Sequence, residues 1–583
     1  TLGWDARTDL SIIPLTAART VRVVRGLSSV LMGPNVLGGA IEVDIASGPG
    51  SVPAPRPFRA SFGLDQTGAT RGQASGGARL EGSSGSWDIT GGLGLQHTDG
   101  FRLANGLLDD PDLRPRYLTA DGETRLNSDA RRVDGFLAAR YQRDSGAWMS
   151  LVGTGIQLER GVAPEAHVDD PRLWRYPDQR RLVAALSGGT GFRDTRLGRG
   201  DLEISLGLDL GRTDIEAFES ESYDQVVETE RGEDRTLTLR TTGDLAVSDR
   251  TDVRAALTLG QVVHDEIIDG GPATTYEQRL WSLGGEWERR FESLFGVPGL
   301  SGSRLTLGAT ADGSDTPRTG DKPSLGRLWD WGGRVGLSTL AGGNVLLHTS
   351  LSRRTRFPAL RELYSGALGR FEPNPELKPE EMIAGEIGFT LNRSPSSEAF
   401  GDGEFQVVAF VQRLNDGIVR TSVTDSLGNR KFKRVNQDQV RSRGVEVLAA
   451  GALGPLSLSG DITWQRVRGL EPDGSEVRLE YEPSVAGKLT AQLPLFAEVV
   501  GVAGVNYVGE QLCQNPEAGG LEPFSSSPRF DLGILRRFIL GGGRAIRALD
   551  ASVRMDNVGD AGVFDQCGLP QPGRTFSLEF SVS

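Results

Sequence analysis

From about Phe58 to the end of the chain, apolar and polar residues alternate in short stretches, among them "WDITGGLGLQH", "VDGFLAARYQ", "LEISLGLDLG", "VRAALTLGQV", "RLTLGATADG", "RVGLSTLAG", "NVLLHTSLS", "FQVVAFVQR" and "RALDASVRM". A period of two places successive side chains on opposite faces of a sheet, so each stretch predicts a β-strand covering most of a bilayer crossing. Small residues recur on one face, which suits a sheet curled around something that fits inside. The connections alternate in length. One set is short: "EGSSG", "DSGA", "SDRTD", "AGGN", "LPLFAE" and "LGGGRA". The other is long and polar: roughly Phe101 to Arg131, Gly161 to Gln179, Ile215 to Arg231, Arg356 to Glu381 and Leu512 to Ser527. Short turns on one rim and long loops on the other predict a closed antiparallel barrel of about 22 strands, the size class of plugged transporters. Propellers and β-sandwich adhesins also carry many short strands with Gly-rich turns. The repeat period of a propeller is not found, and adhesins rarely alternate loop length so regularly.

Composition changes the picture in three ways. The chain has 583 residues, of which 24% are charged and 37% hydrophobic. That length would ordinarily mean several soluble domains, and no apolar run is long enough to cross a bilayer as a helix. A barrel shows lipid only every second residue, so a slightly negative mean hydropathy is compatible with crossing by strands. The net charge of −13 argues against a nucleic-acid partner. Two cysteines and four histidines leave little room for metal chemistry, and neither a metal site nor a cofactor is assigned. No signal peptide precedes Thr1, from which we expect that sequence has been lost ahead of it.

The first 50 residues read differently: "IIPLTAARTVRVVRGLSSVLMGPNVLGGAIEVDIASG" mixes a short helix-like segment with Gly-rich corners. The stretch resembles the end of the plug domain of TonB-dependent receptors, whose pattern runs from "IPL" through "IEVLRGPSSVLYG" to "GGVINV". The matching residues are Pro14, Val23, Arg25, Gly26, Ser28, Ser29, Gly33, Gly38, Gly39 and Ile41. Further on, "FPALRELYS" with "EPNPELKPEEMIAGEIGF" (Phe357 to Phe389), "VNQDQVRSRGVEVLA", and "MDNVGD" with "PGRTFSLEF" resemble later stretches of the same family. The resemblance spans the chain. It implies an all-β fold in which a 22-stranded transmembrane barrel, residues 54–583, surrounds a truncated plug domain, residues 1–53. It also implies a monomer in the outer membrane of a Gram-negative bacterium that imports a scarce nutrient with energy from the TonB complex.

In the family, plug arginines meet barrel glutamates, and the matching positions are Arg25, Glu386 and Glu446. Alternation with Ile387 and Val445 turns both glutamates inward, where the other reading is that each is solvated in the lumen. The sequence also departs from the pattern. Arg22 stands where Glu is common, and Leu27 and Met32 replace Pro and Tyr. The front of the plug and the TonB box are not found, so contact with the TonB complex is expected through the missing N-terminal region. The terminal aromatic is absent, with Phe580 three residues short of the end.

By strand count Cys513 and Cys567 fall in the last two long loops, on the outer rim, where an oxidised pair persists. A disulfide is expected there, the alternative being two unpaired thiols. The loop from Arg353 to Phe371 carries Arg353, Arg354, Arg356, Arg361 and Arg370 interleaved with Phe357, Tyr364 and Phe371. Arginine forks and aromatic faces suit anionic planar chelates such as catecholate iron complexes, which makes Arg356, Arg361, Tyr364, Arg370 and Phe371 candidate ligand contacts for a ferric siderophore. The other readings are lipopolysaccharide phosphates for the basic residues and a structural girdle position for Tyr364. Haem receptors carry "FRAP" and "NPNL" around a histidine ligand in this loop, and "FPAL" and "NPEL" resemble that pair. No histidine lies between Phe357 and Asn374, and His348 precedes the motif, so the iron would lack its axial ligand. Haem therefore ranks below siderophore, beside cobalamin and sugar or peptide fragments. A passive or structural barrel is the alternative of another class. Enzymatic readings are weaker: "GLSSV" lacks the hydrolase elbow, and "GPNVLGG" lacks the Lys-Ser or Lys-Thr of a phosphate loop. Asp109 with Asp110 and Asp169 with Asp170 sit in polar loops as solvated surface, and no catalytic residue is assigned.

Overall fold

The computed structural model describes residues 3–583 except 6–9, 15, 19, 25, 27–28, 45–57, 109–116, 168–170, 295, 367, 394–399, 425–429, 472, 497, 516–519, 525–526 and 542–545. The alternating stretches form 22 antiparallel strands in one closed barrel. Closure is made by the first strand, Arg59–Asp65, pairing with the last, Thr575–Val582, so that Phe62 lies opposite Phe580. Closure leaves the barrel sheet without a free edge, which a membrane demands of any sheet that crosses it.

The outward face is apolar because the alternation holds. Leu93, Ile387 and Val411 are 69%, 64% and 61% exposed, values that in water would be costly and that identify the lipid-facing belt. Several strands far exceed the roughly 9–11 residues that cross a bilayer; among the longest, Gly198–Phe218 has 21 residues, Val226–Ser248 has 23, Phe400–Thr424 has 25 and Arg430–Leu453 has 24. Pairing therefore continues beyond the lipid belt. This corrects the expected loop from Ile215 to Arg231, where Ile215 pairs with Glu230 and only residues 219–225 leave the ladder. Beyond the membrane both faces of a hairpin meet water, so the contrast between alternate positions fades and a strand there reads as a polar loop.

The segment before the barrel lies within it. It forms a two-stranded hairpin of Thr20–Val24 with Ala40–Asp44, and its helix-like parts are single 3-10 turns, one ahead of the hairpin at Leu10–Ile12 and one in its connection at Val30–Met32. The β-branched run "TVRVV" favours a strand over a helix. Arg22, which departs from the family pattern, pairs across this hairpin with Glu42 at 3.2 Å.

Candidate functional site

The inner segment is held by the barrel wall at named points. Glu286 accepts hydrogen bonds from the Ser29 hydroxyl at 2.7 Å and from the Val30 amide at 3.0 Å. Arg240 donates to the Leu31 carbonyl at 2.6 Å and Arg354 to the Gly33 carbonyl at 2.8 Å. On the neighbouring loop, the Phe357 amide donates to the Asn35 side chain at 2.9 Å. Val30 is fully buried. It enters a hole left by two barrel glycines: a Cβ on Gly308 would come within 2.8 Å of the Val30 side chain, and one on Gly284 within 3.1 Å of its carbonyl.

Glu386 faces this segment, as the alternation with outward Ile387 requires. Its carboxylate accepts from Ser350 at 2.7 Å, and the other oxygen abuts Gly26, where a Cβ would lie 2.3 Å away. Gly26 adopts φ +75°, so close approach and backbone geometry both call for glycine there. Glu446 is half-buried on the strand Arg430–Leu453, in register with Val408 and Thr463. Arg25 lies outside the described residues.

Above the segment, Trp4 stacks on His264 with ring centroids 3.6 Å apart and lies 5.4 Å from Tyr276, which in turn stacks on Tyr364 at 5.6 Å. Arg361, on the short helix Leu360–Tyr364, pairs with Asp5 at 2.7 Å, and its amide donates to the Trp4 carbonyl. These contacts seat the loop following Arg356 directly on the inner segment.

Two candidate ligand residues lie within this packing. Tyr364 is fully buried in the aromatic column and donates its hydroxyl to the Pro323 carbonyl at 3.2 Å. Arg356 is clamped between Glu362, at 2.9 Å, and Glu380. Glu362 also accepts from the Ala359 amide at the helix start. Neither side chain offers a free polar or aromatic face; both organise the loop. Arg353 and Arg354 are likewise engaged, Arg353 by Asp330 at 2.9 Å and Glu381 at 2.6 Å.

Arg370 and Phe371 join that scaffold through Arg434, which donates to the Arg361 carbonyl at 3.3 Å. Arg370 donates to the Pro171 carbonyl at 3.2 Å. Phe371 lies 5.6 Å from Phe432, with the Arg434 guanidinium 4.4 Å over its ring and that of Arg420 4.5 Å over Phe432. The parallel pairing of Phe371–Glu372 with Phe432 and Lys433 fixes this arrangement. Arg420, Phe432 and Arg434 were missed from sequence, although the basic and aromatic run "RKFKR" marks Phe432 and Arg434.

The remaining long loops form a collar. Cys513 and Cys567 are joined by a disulfide, with Cα atoms 6.0 Å apart. The Ala166 amide donates to the Gly568 carbonyl and the Gly573 amide to that of Arg102, while Leu107 packs with Ala104, Ala166 and Phe564. Burial brings the Arg125 guanidinium within this collar down to about 10. Among the described residues no group of three His, Cys, Asp or Glu is placed to hold a metal ion.

Solved structures of similar shape include the copper transporter OprC, with 15% identity, a TM-score of 0.76 and coverage of 97% of this chain and 88% of that one. The FrpB iron transporter from Neisseria meningitidis (F3-3 variant) matches with 13% identity and a TM-score of 0.73, covering 97% and 87%. The siderophore receptor PirA from Acinetobacter baumannii matches with 12% identity and a TM-score of 0.70, covering 100% and 88%. At such identities the likeness establishes the fold. No curated protein sequence matches the chain. The family model described as TonB dependent receptor-like, beta-barrel, matches residues 33–558. The chain thus belongs to the TonB-dependent receptor-like β-barrel family, a family of transporters and receptors of the Gram-negative outer membrane.

Proposed function

We propose that the protein binds a ferric siderophore at its outer loops and imports it with TonB-derived energy. The observation that carries this reading is the cation–aromatic wall of Phe371 and Phe432 bracketed by Arg434, which also donates to the Arg361 carbonyl, and Arg420, which also pairs with Glu480. A planar anionic chelate stacks on such rings and accepts from such guanidiniums, and each contact is worth about 0.5–2 kcal/mol. Arg370 and Phe371 remain ligand contacts in this reading, Arg361 supports them through Asp5, and Arg420 and Phe432 join them. An iron transporter and a siderophore receptor among the proteins of similar shape are consistent with it. Haem is less well served: His264 is buried against Trp4, and the loop from Phe357 to Asn374 has no histidine.

The seating of Gly26 against Glu386 supports a charge cluster of Arg25, Glu386 and Glu446 as the lock that holds the inner segment in register until the motor pulls it. Fluorescence titration of the purified protein with a ferric catecholate siderophore, haem and cyanocobalamin tests the ligand. Saturable binding of the catecholate alone, weakened about tenfold or more in Phe371→Ala and Arg420→Ala, is expected. Preference for haem or cobalamin, or indifference to both substitutions, contradicts the reading.

A further inference from the structure

Two barrel residues of opposite charge are held apart by the inner segment. Glu286, Gly308 and Arg334 lie directly opposite one another on three neighbouring strands, Thr274–Phe291, Leu300–Thr319 and Leu328–Ala341. All three face the lumen. Glu286 is 6% exposed, while Leu307 and Val335, next to Gly308 and Arg334, stand on the outward face. Strands are about 4.8 Å apart, so the Cα atoms of the acid and the arginine are on the order of 10 Å apart, with only a bare glycine between them. The Val30 side chain fills that gap. A Cβ on Gly308 would stand 2.8 Å from Val30 and 3.1 Å from the Glu286 side chain.

Arg334 is folded away from the gap. Its Nε lies 4.0 Å from where a Cβ on Gly336 would stand, two residues closer to the short turn at Gly342 and Gly343. That nitrogen is buried without a hydrogen-bond partner, and the side chain makes no ion pair among the described residues. The other cations near Glu286 are engaged. Arg254 pairs with Glu288 at 3.2 Å and lies 3.7 Å from Asp244, and Arg240 donates to the Leu31 carbonyl. Arg354, which feels the charges of Asp312 and Glu286, donates to the Gly33 carbonyl. Withdrawal of the inner segment takes both donors, the Ser29 hydroxyl and the Val30 amide, from Glu286 and opens the gap over Gly308. It frees Arg354 as well, but Arg354 feels Asp312 more strongly, and Asp312 has a buried oxygen with no partner. Glu386 keeps the hydroxyl of Ser350, which belongs to the barrel. Glu286 and Arg334 are the two charges left to each other.

We propose that Arg334 is a positioning residue for import: once Val30 leaves its hole, the guanidinium swings over Gly308 and pairs with Glu286. The wall then replaces the donors that Glu286 has lost, which lowers the cost of withdrawal, and Val30 parts the pair again when the segment reseats. Without that partner the acid would be left uncompensated in the lumen. Val30 is the wedge, Gly308 the passage, and Gly336 the bare site over which Arg334 is stored while the segment is seated. The inference rests on import by movement of the inner segment and is independent of which ligand is carried.

The test is hydrogen exchange of residues 29–35 in the purified protein, without ligand or TonB, so that its outcome does not depend on the siderophore reading. Arg334 makes no hydrogen bond or ion pair among the described residues in the seated state. Arg334→Gln is therefore expected to slow exchange there about fivefold or more, by removing the partner of the open state, and Arg334→Lys to restore most of the wild-type rate. In a Glu286→Ala background the same Arg334→Gln change is expected to have no further effect, because the acid that the guanidinium would meet is gone. Heat-modifiable migration reports the folding of each variant, and Arg334→Met takes the place of the glutamine variant if that one does not fold. Unchanged or faster exchange in Arg334→Gln, no recovery with lysine, or an equal slowing in the Glu286→Ala background would overturn the proposal.

Discussion

The backbone amide of Val30 donates to the Glu286 carboxylate at 3.0 Å, from a position where the Val30 side chain is fully buried in the barrel wall. One acid on one strand thus fixes the turn through which the inner segment meets the wall. Glu286→Ala removes the acceptor and leaves the Val30 N–H buried, a cost of about 1–3 kcal/mol. Hydrogen exchange of residues 29–35 is expected to quicken about tenfold or more, while exchange in the barrel strands stays unchanged. Gly308→Leu is expected to do more, because its first side-chain carbon alone would stand 2.8 Å from Val30.

Arg356 holds the two acids Glu362 and Glu380, of which Glu380 is 5% exposed. Truncating one partner of a buried pair costs more than the pair contributes, because the other charge stays buried. Arg356→Ala is expected to lower stability by roughly 3–5 kcal/mol locally, read as new protease cleavage within residues 357–379. Arg356→Lys retains charge but cannot reach both acids in parallel, so its cleavage rate should be intermediate.

Reduction of the Cys513–Cys567 bond releases a link between residues 54 apart in sequence. The chain-entropy account gives about 4 kcal/mol for a closure of that length, and less is expected here because the intervening strands are pinned in the barrel. Cys513→Ser should leave heat-modifiable migration of the barrel intact and expose the two outer loops to protease. Loss of the folded band instead would show that the bond is needed for barrel closure.

Glu165 in the outer collar supplies a pH dependence. Burial pushes its carboxyl up, but the Arg172 guanidinium and backbone amide outweigh this and hold it below its ordinary value of 4.5. A carboxyl depressed on folding stabilises above its unfolded value and loses that contribution as pH falls through its folded one. Protease resistance of the loop 162–173 should therefore hold at pH 6–7 and decline below about pH 4.5, and Glu165→Gln should be weaker at neutral pH and flat across that range.

The barrel was legible because lipid and lumen impose opposite chemistry on alternate residues, and Leu93, Ile387 and Val411 record that alternation directly. The hairpin of the inner segment was harder to see. Both its faces meet polar surroundings, so "TVRVV" carries β-branching but no period of two strong enough to read. The family resemblance located the inner glutamates Glu386 and Glu446, whereas Glu286, Arg240 and Arg354, which grip the segment, lie on separate strands with no local pattern. In the loop following Arg353 the sequence showed which residues were basic and aromatic. It could not show that Arg356 and Tyr364 are enclosed, because Glu362, Glu380 and Pro323 come from three different elements.

The measurement that bears most directly on the central claim is growth of an iron-starved receptor-deletion strain carrying this gene, with ferric catecholate siderophore, haem and cobalamin supplied singly. Rescue by the ferric siderophore, lost when TonB is deleted, is the result expected of an energised importer. Uptake that persists without TonB, or rescue confined to haem or cobalamin, would contradict it.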